Sequence, residues 1–203
     1  MPGGTRSTRL DNMSHAVPLP DRSSWPQVQA LQEIGAHFHR RGWSLGTSSN
    51  YSTVLGRDPL RLLITASGKD KDRLTPRDFV VVDGDGRPVS ASEPRPSAET
   101  LLHTVLARRP GVGGVLHTHS VWATLLSQRY AAQGGFWIDD FEMLKGLAGV
   151  GTHEHREWIA VFDNSQDIPA LARQVERALD NPPAPPHAFL LRRHGLYTWG
   201  RDP

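Results

Sequence analysis

LRLLITASGKDKDRLTPRDFVVVDGDGRPV, residues 60–89, contains two strand-like runs with no helix between them. The first is apolar and stops at a Ser67-Gly68 turn. The second passes from a short turn around Pro76 into FVVVD and then into a hairpin over Asp85-Gly86. A doubly wound parallel fold alternates strand and helix regularly, and this stretch breaks that alternation.

The flanking segments fit the same reading. On the N-terminal side, WPQVQALQEIGAHFHRR (25–41) places Val28, Leu31, Ile34, Ala36 and Phe38 close to helical spacing. Ser24 is available as a cap, Pro26 suits a first turn, and Gly42 ends the run. GTSSNYSTVLG (46–56) is a polar, small-residue loop leading into a strand. Beyond the central stretch, SAETLLHTVLARRPG (97–111) reads as a helix stopped by Pro110 and Gly111. VGGVLHTHS (112–120) reads as a strand and VWATLLSQRYAA (121–132) as a helix. FWIDDFEMLKGLAGVG (136–151) starts like a strand and continues as a short helical or loop segment. REWIAVF (156–162) is a strand, and DIPALARQVERALDN (167–181) is a helix capped by Asp167, with Leu171, Val175 and Leu179 at four-residue steps. AFLLRRHGLYTWG (188–200) is a final strand or strand pair. The expected class is α/β, layered α/β/α, with a central mainly antiparallel sheet flanked by helices.

A chain of 203 residues is long enough for one domain with a sizeable core. Residues 1–24, rich in Pro, Gly, Ser and Thr, are expected to be a disordered lead, and residues 25–203 a single domain. The 23 Lys and Arg nearly balance the 21 Asp and Glu, without a clustered basic face, which argues against nucleic acid as a partner. No apolar run reaches the roughly 18 to 20 residues of a membrane span, and the N-terminus has no apolar core of a secretory signal. With no cysteine, the chain has neither disulfides nor thiolate ligands nor a Cys nucleophile. That composition fits a reducing cytoplasm. Any metal must be held by His and carboxylates.

Three His-x-His pairs occur: His37/His39, His117/His119 and His153/His155. Residues two apart on a helix point about 200° apart, so His37 and His39 do not share a ligand. His153 and His155 sit in GTHEHRE, a polar connection rather than a rigid platform. On a strand, residues two apart share a face, so His117 and His119 can meet one ion. His194 also follows an apolar run, and Gly195 permits a tight turn beside it. Two His from one strand and a third from another make the three-ligand set of a catalytic zinc, with a position left open. Imidazole also suits iron, cobalt or manganese. The competing reading is a pair of histidines that hydrogen-bond backbone at a strand end.

GTSSNYS, ITASGKDKDRLTPRDFVVVDGDG, RPSAET, GVLHTHS and HGLYTWG follow one another in an order that resembles the class II aldolase superfamily. FEMLKGL, FDNSQDI and HGLYTWG resemble more narrowly the branch that dehydrates 5-methylthioribulose 1-phosphate in methionine salvage. The resemblance spans about residues 26–201. It implies a sugar-phosphate substrate, a Zn²⁺ ion in each subunit and a homotetramer with sites near subunit contacts. It also implies a C-terminal helix beyond TWG, which this sequence does not contain.

The resemblance places Asn50, Ser67 and Gly68 at the substrate phosphate, in loops whose N–H and hydroxyl groups suit an anion; ordinary inter-strand turns are the alternative. It makes Glu142 the acid/base of a dehydratase and Glu99 the carboxylate that serves the aldolases, although either acid also suits a helix start. Phe136, Trp137 and Phe141 are candidates for an apolar substrate pocket or for core. Lys69 and Lys71 read as solvated, and Asp139 and Asp140 as a solvated turn. Two rival functions remain: an aldolase or epimerase on another ketose phosphate, and a non-catalytic, zinc-stabilised protein.

Overall fold

The computed structural model describes residues 20–91 and 93–203. Residues 1–19 of the expected lead lie outside the described residues. Its last part does not fit that expectation: Arg22–Ser24 form a 3-10 turn capped by the Asp21 carboxylate, and Ser24 is buried where its hydroxyl donates to the Asp21 carbonyl.

Eight strands form one sheet: β1 (Asn50–Arg57), β2 (Leu60–Thr65), β3 (Phe79–Asp83), β4 (Gly114–Thr118), β5 (Gly135–Asp139), β6 (Arg156–Phe162), β7 (Ala188–Leu191) and β8 (Gly195–Gly200). Their spatial order is β3-β2-β1-β4-β8-β7-β6-β5. Every neighbouring pair is antiparallel except β6 and β7, which run parallel. A parallel pair needs a crossover, and α4 (Ile168–Asp180) provides it. The hairpin at Asp85-Gly86 forms, although its return limb pairs only through short contacts such as Val89 N–H to the Val81 carbonyl.

The alternation of side chains along each strand sorts the core into two layers. On one face, Val115, Phe189, Leu191 and Tyr197 pack against Leu102 and Leu106 of α2 (Thr100–Ala107) and against Leu171, Val175 and Leu179 of α4. The four-residue steps in α4 therefore mark its buried stripe, and each such side chain contributes roughly 1.5–3 kcal/mol of burial. On the other face, Tyr51, Leu63 and Phe79 meet Val28 and Leu31 of α1 (Trp25–Arg40). Farther along that face, Ile159, Val161 and Leu190 lie under α3 (Val121–Tyr130). The result is the expected α/β/α layering. No helix among the described residues is long and apolar enough to cross a membrane.

Candidate active site

Register places the site. Asn50 on β1 stands opposite His117 on β4, and His117 stands opposite Tyr197 on β8, so the three form one row across the sheet on the α2/α4 face. The Tyr197 ring stacks on His117 at 4.1 Å, and Phe189 continues the stack at 4.8 Å. His119 lies just past the end of β4, where its N–H donates to the Trp43 carbonyl. His194 arrives from the turn between β7 and β8. Gly195 is needed there for space rather than for a special backbone angle: a Cβ would overlap the Thr118 carbonyl oxygen and stand 3.0 Å from His117 Cε1.

The Nε2 atoms of His117, His119 and His194 converge. The His117–His119 distance is 2.8 Å and the His117–His194 distance is 3.3 Å. His117 Nδ1 donates to the Leu196 carbonyl at 3.0 Å, and His194 Nδ1 donates to Asn164 Oδ1 at 3.2 Å. Both bonds fix the tautomer that turns an Nε2 lone pair inward. Lone pairs this close repel unless a cation or proton sits between them. Two nitrogens bound tetrahedrally to one zinc ion stand about 3.3 Å apart, given the usual Zn–N length, so the residues present fit a divalent ion. Burial, followed by the neighbouring His119 and His194, holds His117 well below its ordinary pKa, and burial pushes His119 down to about 4. Both imidazoles are thus neutral, as ligands must be.

Glu99, the residue before α2, brings its carboxylate to this cluster: Oε2 is 3.4 Å from His117 Nε2 and Oε1 is 3.4 Å from His194 Nε2. A buried chain of polar groups holds it. The Ser52 hydroxyl meets His103 Nδ1 at 2.7 Å, His103 Nε2 donates to Asn50 Oδ1, and the Asn50 amide donates to Glu99 Oε2 at 2.8 Å. Tyr197 is fully buried with its hydroxyl near Glu99; burial and then the Glu99 charge raise its pKa well above the usual phenol value.

Of these groups, Asn50, Glu99, His119 and His194 line a cavity of about 290 Å³, and His117 is buried behind them. The GTSSN and ASG loops line the same cavity, and Asn50, Ser67 and Gly68 all reach it. Asn50, however, spends its amide on Glu99 and Ser97. Gly68 has φ +70, a left-handed backbone that favours glycine.

Lys71 overturns the solvated reading. It is 1% exposed and lines the cavity, its ammonium donating to the Thr47 and Lys69 carbonyls. Burial lowers its pKa to about 8. Flanked by Asp70 and Asp72 in KDKD, it carries no local signal of burial; that comes from α1, where Gly35 lets the Lys71 carbonyl approach. Asn164, Ser165 and Gln166 also line the cavity and were missed as site residues, although they lie in the FDNSQDI stretch.

The chain belongs to the class II aldolase family. The family model described as Class II Aldolase and Adducin N-terminal domain matches residues 29–203. A methylthioribulose-1-phosphate dehydratase of Marinobacter nauticus is 47% identical over 175 residues, 86% of this chain and 82% of that relative. One of Xanthomonas campestris pv. campestris is 48% identical over 189 residues, covering 92% and 85%. Among solved structures, YgbL of Escherichia coli superposes with a TM-score of 0.68 at 24% identity, covering 89% of this chain and 81% of that one. An L-fuculose-1-phosphate aldolase from Thermus thermophilus gives 0.66 at 25% identity, covering 88% and 81%. The eight-stranded, mostly antiparallel sheet with four helices is the class II aldolase fold.

The remaining sequence expectations fall away from the cavity. Glu142 stands on an exposed 3-10 turn (Glu142–Gly146), where it pairs with Lys145 at 2.6 Å and lies 3.8 Å from His153. The described chain does not bring it to the cluster of His117, His119 and His194. Phe136 packs on Tyr130, Trp137 on Trp158, and Phe141 is exposed; none of the three lines the cavity. His37 accepts from Arg41, His39 meets the Ser44 carbonyl, and His155 pairs with buried Glu157. Asp139, expected in a solvated turn, instead ends β5, exposed and paired with Arg156 across from it on β6.

Proposed function

We propose that the chain is a metal-dependent dehydratase, a hydro-lyase that removes water from 5-methylthioribulose 1-phosphate to give 2,3-diketo-5-methylthiopentyl 1-phosphate in methionine salvage. The observation that carries the reading is the convergence of three imidazole Nε2 atoms and the Glu99 carboxylate beside a cavity that hydroxyl- and glycine-rich loops also line. The name shared by relatives close to half identical supplies the substrate.

The ligands are His117, His119 and His194, and the ion is zinc, which suits three imidazoles and an open position. Bound there, it supplies Lewis-acid stabilisation of the negative charge that develops on the C2 oxygen as the C3 proton leaves. Ser67 and Gly68, with Thr47 in the same cavity, receive the phosphate and hold the sugar in register. Asn50 lines the same floor but orients Glu99. Glu99 takes the proton from C3. The C4 hydroxyl departs as water with a proton from Glu142, and the resulting enol tautomerises to the diketone. Glu142 reaches the reaction from a neighbouring copy in a homotetramer. This assignment is supported by its position between exposed Phe141 and Met143, on a surface suited to a subunit contact.

Incubation with the substrate, followed by product mass and diketone absorbance, tests the reaction. Loss of one water is expected; carbon–carbon fragments would instead make the protein an aldolase. His119→Ala should lose both metal and turnover. Glu99→Gln and Glu142→Gln should keep the metal and lose about 100-fold or more in rate. Full activity in Glu142→Gln would leave Glu99 as the sole proton carrier.

A further inference from the structure

Lys71 is a buried cation that neither the fold nor the chemistry above accounts for. Two of its three N–H donors go to backbone carbonyls, Lys69 at 2.6 Å and Thr47 at 3.3 Å. Among the described residues no carboxylate pairs with it, whereas its neighbour Lys69 is neutralised by Asp78 at 2.9 Å. Asp70 and Asp78 act on it without forming an ion pair, and a buried ammonium with no direct partner is costly unless something that binds supplies one. The cavity it lines has what an anion needs around that charge: the Thr47 and Ser67 hydroxyls and the left-handed backbone at Gly68. The two carbonyl bonds fix the head group in place, so a third N–H is left for a ligand without a search through rotamers.

We propose that Lys71 is the charged anchor of the substrate phosphate, completing with one fixed ammonium a cradle otherwise made of neutral donors. The proposal rests on the reading of this cavity as a sugar-phosphate site. It gives the enzyme a means of rejecting dephosphorylated sugars, because without the dianion Lys71 remains buried and unpaired.

The alternative is a structural clip that only ties the Thr47 loop to the Lys69 turn. Lys71→Gln keeps a donor for the carbonyls and removes the charge; Lys71→Arg restores the charge. Inorganic phosphate, measured as a competitive inhibitor, should bind Lys71→Gln about 10- to 100-fold more weakly, the span of one charge-assisted hydrogen bond. KM should rise by a similar factor, kcat should change less, and Lys71→Arg should recover part of the loss. Wild-type phosphate inhibition and KM in folded Lys71→Gln would overturn the proposal.

Should that variant fail to fold, the wild-type protein decides. The chain has only three lysines, Lys69, Lys71 and Lys145. With isotope-labelled lysine, titration with inorganic phosphate should move the Lys71 side-chain signal with the same half-saturation as inhibition, and an unmoved signal refutes the anchor. The two readings fail separately. Phosphate binding through Lys71 without dehydration removes the assigned reaction and keeps the anchor, whereas dehydration with phosphate affinity indifferent to Lys71 does the reverse.

Discussion

His103 is fully buried, and both of its ring nitrogens are engaged, Nδ1 by Ser52 and Nε2 by Asn50. Burial pushes its pKa down to about 3 from 6.5. The folded state therefore keeps it neutral where the unfolded chain takes up a proton, so its effect on stability is complete above about pH 6.5 and is lost progressively as pH falls toward 3, at up to about 1.4 kcal/mol per pH unit. His103→Gln keeps an amide able to meet Ser52 and Asn50 but cannot titrate. Urea midpoints between about pH 7.5 and about pH 5 should fall less steeply in the variant than in wild type; parallel slopes would mean that His103 does not titrate on unfolding. The histidine triad was legible because strand periodicity separates His117/His119 from two superficially identical pairs. Glu99 was harder to rank, since an acid before a helix has an ordinary explanation. Its position comes from Asn50, 49 residues away along the chain, which is held in turn by His103, 53 residues from Asn50.

At the scale of elements, the sequence resolved most of the pieces and little of their approach. The α4 stripe, the end of α1 at Gly42 and the broken βα alternation all follow from local spacing. What spacing does not reveal is where two backbones touch. Gly35, in the middle of α1, reads as a flaw in a helix and is instead the contact point: a Cβ there would stand 2.5 Å from the Lys71 carbonyl oxygen and 3.1 Å from Leu74 Cδ1. Alanine ordinarily gains close to 1 kcal/mol over glycine in a helix interior, whereas displacing packed backbone costs roughly 1–3 kcal/mol. Because the nearer atom is backbone and cannot swing away, Gly35→Ala should be destabilising despite its better helix propensity. Its urea midpoint should drop, and the displaced Lys71 turn should weaken inhibition by inorganic phosphate in parallel. A more stable variant with unchanged phosphate inhibition would show that α1 yields and the contact does not position the lysine.

The surface of the whole molecule is uneven in a way the strand and helix pattern did not foretell. Along α3, Val121, Trp122, Leu125 and Leu126 are exposed, Trp122 by 75%, and near the end of β5 Phe141 and Met143 are exposed as well. Contiguous apolar patches on this scale mark association surfaces more often than free ones. The helix begins two residues after His119, so a copy docked there would sit beside the proposed metal, and the Glu142 turn offers the acid such a copy would contribute. Trp122→Asp tests the association: it places a charge at the centre of the patch and should shift the protein to smaller species in sedimentation. The three histidines and their hydrogen bonds all lie within one chain, so the dissociated variant should retain its metal yet lose turnover. Mixing two inactive variants then locates the acid. If Glu142 serves the neighbouring pocket, subunits carrying His119→Ala paired with subunits carrying Glu142→Gln should form some sites with intact histidines and an intact Glu142, and activity should return. If each pocket uses only its own glutamate, the mixture stays as inactive as its components.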